Sequence, residues 1–182
     1  MNYYTTAETP LGELIIAEEE DRITRLFLSQ EDWVDWKETV QNTEHKETPN
    51  LAEAKQQLQE YFAGERKTFT LPLSQKGTPF QQKVWQALEM IPYGESRSYA
   101  DIAAAVGSPK AVRAVGQANK RNDLPIFVPC HRVIGKNSAL TGYAGTKTEI
   151  KAFLLNIERI SYIKKNKTYG TFPFFTADIS FY

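Results

Sequence analysis

One cysteine occurs in the 182 residues, and it opens the tripeptide Cys130-His131-Arg132. A single cysteine cannot close an intrachain disulfide or furnish a four-sulfur metal site. A thiol followed directly by an imidazole and a guanidinium has neighbours that favour the thiolate, its nucleophilic form. The preceding run Leu124-Pro125-Ile126-Phe127-Val128 reads as a buried approach that sets Cys130 on a stiff support at a pocket edge. The bland alternative is an inert, buried cysteine. Features elsewhere in the chain weigh against it.

Lys+Arg and Asp+Glu both number 22, so net charge alone does not point to nucleic acid. The distribution does. Between Pro109 and Lys136 stand Lys110, Arg113, Lys120, Arg121, Arg132 and Lys136 against the single acid Asp123, whereas Glu8 to Glu65 holds most of the acids. One face is therefore expected to be basic. Met1-Asn2-Tyr3-Tyr4 has neither the basic start nor the apolar run of a signal peptide, and no stretch approaches the ~20 apolar residues of a membrane span. The expectation is a soluble protein of a reducing cytoplasm, with no membrane partner.

Three short strands are predicted over Asn2–Thr6, Glu13–Ala17 and Arg22–Leu28, with turns at Pro10-Leu11-Gly12 and Glu18–Asp21. Gln30 to Lys46 is polar without a clear period, anchored by Trp33 and Trp36. Thr48 then Pro49 reads as the N-cap and first residue of a helix carrying Leu51, Ala54, Leu58 and Tyr61 or Phe62 inward, closed by Gly64. Phe69–Leu73 suggests a returning strand. This first unit reads as scaffold.

After a linker at Ser74–Gly77 the chain turns helical. Thr78-Pro79 starts a helix with Phe80, Val84, Leu88 and Ile91 inward. Ser98 caps a second, ended by Gly107, and Ser108-Pro109 starts a third with Val112, Val115 and Ala118 inward. Two helices joined by a tight Gly-Ser turn form a helix-turn-helix pattern, which many non-binding helix pairs share. Its outer face is more telling: Ala111, Arg113, Ala114, Gly116 and Gln117 are small side chains around one arginine, suited to close approach to a nucleic acid. A last helix is predicted over Lys147–Arg159, with Thr146 and Glu149 at capping-box spacing and Ile150, Phe153, Leu154 and Ile157 inward. Glu158 flanks that stripe, and a carboxylate drawn inward needs a partner such as an imidazole. His45 lies in the polar stretch and reads as solvated.

Taken together, these residues resemble the O6-alkylguanine-DNA alkyltransferase family, whose hallmark Pro-Cys-His-Arg-Val stands at 129–133. Phe80, Val84-Trp85, Ser98-Tyr99, the run Pro109 to Gly116, Arg121-Asn122, Gly142 to Gly145 and Leu154-Leu155 with Glu158 also match. The similarity is close from Thr78 to Glu158 and looser before it. It implies an α+β fold: a small ribonuclease-H-like α/β domain (1–76), then a mostly helical, winged-helix-like helix-turn-helix domain (77–160), followed by a tail (161–182) with no family role.

The resemblance further implies repair of double-stranded DNA carrying O6-alkylguanine by a monomer, with the damaged base flipped out from the minor-groove side. Cys130 is the implied acceptor, His131 its base acting through a water, and Glu158 the support of the imidazolium. Tyr99 is implied to displace a phosphate and to protonate the leaving guanine, Arg113 to fill the vacated stack, and Asn122 to hold the turn. Lys110, Ala111, Ala114, Gly116 and Gln117 complete the DNA face. Pro125, Tyr143, Ala144 and Gly145 wall the base pocket, where the carbonyls of Cys130 and Val133 read the guanine amino group. The product is a thioether, so each molecule is expected to react once, with no cofactor and no metal.

Three departures stand out. Thr146 replaces a common glycine, Asp123 replaces a common proline and adds negative charge near a DNA-facing turn, and the tail has Lys164, Lys165 and Lys167 before four phenylalanines. Two other functions remain open from these residues: a lesion-recognition protein of the alkyltransferase-like kind, which binds without transfer, and a cysteine hydrolase.

Overall fold

The computed structural model describes residues 1–141 and 146–164. Strands β1 (Asn2–Thr9), β2 (Gly12–Glu19) and β3 (Arg22–Phe27) form an antiparallel meander. Its centre, β2, is buried on both faces. Leu14 and Ile16 look into the main core, while Ile15 and Ala17 join an aromatic cluster on the other side.

Helix α1 (Gln30–Thr39) and strand β4 (Thr43–His45) occupy the polar stretch that shows no clear period in the sequence. Ser29 caps α1, and β4 runs parallel to β1, giving the sheet order β3-β2-β1-β4. The helical period was hidden because two large rings carry the inward face. Trp33 is buried against Tyr4 and Phe27, and Trp36 lies 5.3 Å from Phe27.

Helix α2 (Pro49–Phe62) covers the opposite face, with Thr48 accepting from the Leu51 amide and Leu51, Ala54, Leu58 and Tyr61 fully buried. The strand expected over Phe69–Leu73 does not form; Leu73 alone bridges Ile23. Pro72 has no N–H to extend a ladder. Gln57 also takes the Thr70 backbone, accepting from its amide at 2.9 Å.

Helix α3 (Pro79–Glu89) starts with a Thr78–Gln81 capping box and buries Val84, Trp85 and Leu88. The short strand β5 (Arg97–Ser98) leads into α4 (Tyr99–Ala105), capped by Ser98 and Asp101. Helix α5 (Val112–Lys120) begins later than Ser108-Pro109 suggests, because the Ala111 amide closes a turn onto the Ser108 carbonyl at 2.8 Å. Val112, expected inward, is consequently 38% exposed. Strand β6 (Val133–Ile134) pairs in parallel with β5. This pairing brings the start of α4 beside the chain that leaves Cys130.

Helix α6 (Thr146–Ile157) packs the expected stripe against the core and buries further residues beside it. Lys151, Ala152, Leu154 and Leu155 are buried, whereas Ile150, Phe153 and Ile157 are half-buried. The proposed Thr146 cap involves a side chain outside the described residues. Tyr162 packs with Ile134, Leu140 and Leu155, and Ile163 exchanges backbone bonds with Ser138 and Leu140. The first residues assigned to the tail are thus part of the packed body, while 165–182 lie outside the described residues.

The two halves share a core and several bonds. The Leu26 amide donates to the Asp123 carbonyl at 2.9 Å, and Phe69 meets Phe127 edge-on at 5.0 Å. Among the described residues no helix is long and apolar enough to cross a membrane.

Candidate active site

The approach to Cys130 is a set of tight turns. Asn122 accepts from the Leu124 amide through its Oδ1 and donates from Nδ2 to the Val128 carbonyl at 2.8 Å, pinning both ends of the run. Ile126 sits at φ +72°, unfavourable for a β-branched side chain and held there by complete burial. After Pro129 the residues Cys130–Arg132 make one 3-10 turn. Cys130 is 3% exposed, its amide donating to the Val128 carbonyl at 2.8 Å.

That turn sends His131 and Arg132 inward, where both meet Glu158. His131 Nε2 lies 2.7 Å from Glu158 Oε1. Arg132 reaches Oε2 through Nε at 2.8 Å and Oε1 through Nη2 at 3.0 Å, and its Nη1 donates to the Ile91 carbonyl. Tyr61, from α2, donates its hydroxyl to Oε1 at 2.8 Å. The Gly94 amide adds a longer bond to Oε2 at 3.4 Å; Gly94 has φ +82°, which suits glycine. Arg132 therefore does not belong to the basic outer face on which its charge was counted.

Burial alone would raise the Glu158 carboxyl, but the hydrogen bonds from His131 and Arg132 and the charge of the Arg132 guanidinium outweigh it and bring it down to about 2. The carboxylate is thus ionised at neutral pH and only accepts, so the imidazole proton sits on Nε2. His131 Nδ1 is left basic, buried and, among the described residues, without a hydrogen-bond partner. Burial, opposed by Glu158, lowers the imidazole below its ordinary 6.5, so His131 is neutral and ready to accept a proton. This arrangement suits general-base activation of a neighbouring thiol.

Tyr99, placed by the β5–β6 pairing, donates its hydroxyl to the Thr141 carbonyl at 3.4 Å. Burial raises its phenol, the Thr141 bond opposes this, and the charge of Cys130 raises it further. Lys151 is fully buried and unforeseen. Its Nζ donates to the Val133 and Thr141 carbonyls at 2.5 and 2.7 Å and lies 6.0 Å from the Tyr99 ring centre. Burial lowers Lys151 to about 8 against the opposing charge of Cys130. Cys130, Tyr99 and Lys151 therefore share one electrostatic environment.

A cavity of about 470 Å³ opens on Cys130. Its walls include Asn122 and Pro125, together with Leu26, Phe27 and Trp36 from the first half of the chain. Lys147 and Asp32, 3.7 Å apart, flank the same space. Val133 is fully buried, with its carbonyl accepting from Lys151. Tyr143, Ala144 and Gly145 lie outside the described residues.

On α5, Ala111 is half-buried, and Arg113, Ala114 and Gln117 are exposed, as is Lys110 just before the helix. Gly116 is half-buried rather than outward, and a methyl group there would touch the Tyr99 ring at 4.0 Å. The charge of Asp123 is answered by Arg25 at 2.8 Å. Its carboxyl is raised by burial against the pull of that guanidinium.

Comparison with known proteins gives concordant matches. Residues 2–75 match the 6-O-methylguanine DNA methyltransferase, ribonuclease-like domain, and residues 79–160 match the DNA-binding domain of the same family. A Bacillus subtilis methylated-DNA–protein-cysteine methyltransferase, described as constitutive, is 97% identical over 91% of this chain and all of its own. A Methanosarcina acetivorans methylated-DNA–protein-cysteine methyltransferase is 46% identical over 86% of this chain and 97% of its own. The crystal structure of Mycobacterium tuberculosis OGT in complex with DNA superposes with a TM-score of 0.75 at 43% identity, covering 86% of this chain and 92% of the other.

Proposed function

Because the chain belongs to the 6-O-methylguanine DNA methyltransferase family, we propose that it takes the alkyl group from O6 of a guanine in duplex DNA onto the sulfur of Cys130. DNA is the partner, and the reaction is methyl transfer from methylated DNA to a protein cysteine. The observation that carries the assignment of the acceptor is the buried His131–Glu158–Arg132 network beginning one residue from a cysteine on a cavity wall.

Reaction begins with extrusion of the damaged base, since the alkylated oxygen is out of reach of a buried sulfur while the base is stacked. Unstacking costs on the order of a few kcal/mol. Ala111 and Ala114 let the start of α5 come close to the duplex, Lys110 and Gln117 flank the contact, and Arg113 fills the vacated space. The base enters the cavity bounded by Asn122 and Pro125. Its amino group meets the carbonyls of Cys130 and Val133, with Tyr143, Ala144 and Gly145 as the remaining wall.

His131 Nδ1 then takes the Cys130 proton through a water, while Glu158 steadies the imidazolium across its 2.7 Å contact. Sulfur attacks the alkyl carbon in line; the C–S bond forms as the C–O6 bond breaks, and the electron pair passes into the guanine. Tyr99, its raised phenol still protonated, delivers a proton to the departing base. One proton leaves the thiol and one reaches guanine, with no net change of oxidation state. The step therefore requires no cofactor. Water does not displace the thioether, so each molecule reacts once. All these groups come from one chain, in keeping with a monomer, and a reducing cytoplasm would keep the single thiol available.

Mass spectrometry after mixing with a duplex containing O6-methylguanine tests the assignment. One added methyl group is expected on the peptide bearing Cys130, whereas Cys130→Ala gains none and retains its DNA affinity. Unmodified wild-type protein in a stable complex would instead indicate recognition without transfer, and methylation at another residue would remove Cys130 as acceptor.

A further inference from the structure

We propose that Tyr61, on helix α2 of the ribonuclease-like half, is a positioning residue for the transfer step: its hydroxyl fixes the Glu158 oxygen that holds His131. This inference rests on the reading of His131 as the base that activates Cys130.

The geometry is specific. Glu158 Oε1 receives three groups: His131 Nε2 at 2.7 Å, the Tyr61 hydroxyl at 2.8 Å and Arg132 Nη2 at 3.0 Å. Oε2 receives Arg132 Nε at 2.8 Å. The guanidinium spans both oxygens and tends to draw the carboxylate into its own plane. Among the described residues, Tyr61 is the donor to Oε1 that comes from outside the segments carrying Cys130 and Glu158, and it arrives from a helix anchored on the sheet. Its ring is fully buried against Phe62, Phe69 and Tyr93, so the hydroxyl has little freedom to move. Burial first, then the Glu158 charge, keeps the phenol protonated, so it acts only as donor toward this anion.

Without the hydroxyl, Oε1 keeps two donors, one of them charged and already shared with Oε2. The carboxylate is then free to turn toward Arg132, lengthening the contact to His131 and weakening Nδ1 as a base. Other groups around this pair are Tyr93 near Glu158, Lys151 and Arg132 near His131, and Cys130 itself. Tyr61→Phe leaves all of them in place and keeps the ring packing.

Single-turnover transfer from an O6-methylguanine duplex, measured against pH, tests the idea. Tyr61→Phe is expected to bind DNA as wild type does but to react about tenfold more slowly near neutral pH. The ratio of the two rates should close to within about twofold as pH rises, because hydroxide then shares with His131 the removal of the thiol proton. In a Glu158→Gln background the same substitution should change the rate by less than about twofold, because its route of action is gone. Equal rates near neutral pH, or a deficit that persists unchanged to high pH, would overturn the proposal, the second by indicating a general packing defect. Failure of wild type to take up the methyl group would overturn the functional reading itself, which is a distinguishable result.

Discussion

Two carboxylates are hidden to the same degree, Glu18 and Glu158, each 2% exposed, yet their surroundings differ in kind. Among the described residues, Glu18, on β2, meets neutral donors: the Thr48 hydroxyl and the Asn50 amide, the latter at 3.3 Å. Thr48 in turn caps α2, so this carboxylate clamps a helix start onto the sheet. Glu158 faces an imidazole, a guanidinium in two-point contact and a phenol. Burial of an acid therefore does not mark a reactive site. The proton-carrying and charged partners do, because only they allow the acid to govern another group's protonation.

The largest expected difference comes from neutralising each acid. Glu158→Gln removes the anion that holds the His131 proton on Nε2 and leaves Arg132 buried without its counter-charge. Methyl transfer should fall on the order of a hundredfold, and stability by about 3–5 kcal/mol. Glu18→Gln should transfer at the wild-type rate. Stopped single-turnover assays on the two variants decide the matter; a comparable loss of rate in both would erase the distinction.

How far this contrast could be read without coordinates depends on chain distance and on what a residue's type ordinarily signals. Cys130 and His131 are adjacent, and Glu158 borders an apolar helix stripe, so their association was legible. Tyr61 was not. It sits in an apolar stripe and reads as core, and its partner lies 97 positions away; the only clue is that a buried phenol needs an acceptor. Lys151 reads as a solvated helix lysine, yet two carbonyls and the site's charge draw it in. Arg132 was counted with the DNA face for the same reason: charge usually signals exposure. In the scaffold, Pro72 ended a strand that β-propensity favoured, and two tryptophans replaced the usual stripe of α1.

A smaller separation appears in acid. The Glu158 carboxyl lies at about 2 in the folded chain against an ordinary 4.5. The unfolded chain therefore takes up this proton first as pH falls, so the stabilisation is complete above about 4.5 and is lost toward 2. It amounts to about 3 kcal/mol. His131, lowered by burial, acts in the same direction below 6.5. Urea unfolding of the wild type should weaken across the acid window, and Glu158→Gln should show a distinctly flatter dependence there. A wild-type slope in Glu158→Gln would remove Glu158 from this role.

The smallest effect is expected at the clamp itself. Glu18→Gln keeps an oxygen that can accept from Thr48, so the helix cap survives and only the charge-assisted part of the bond is lost. The cost should be about 1 kcal/mol, the usual difference between a charged and a neutral acceptor. Thr48→Val removes both the cap and the donor to Glu18, leaving a buried carboxylate with the Asn50 amide as its remaining side-chain donor. That loss should be larger, about 2–3 kcal/mol, because a desolvated anion lacking a partner adds to the lost cap. Thermal unfolding of both variants reads the order directly. If Glu18→Gln destabilises more than Thr48→Val while methyl transfer stays intact, the negative charge rather than the cap is what secures α2 to the sheet.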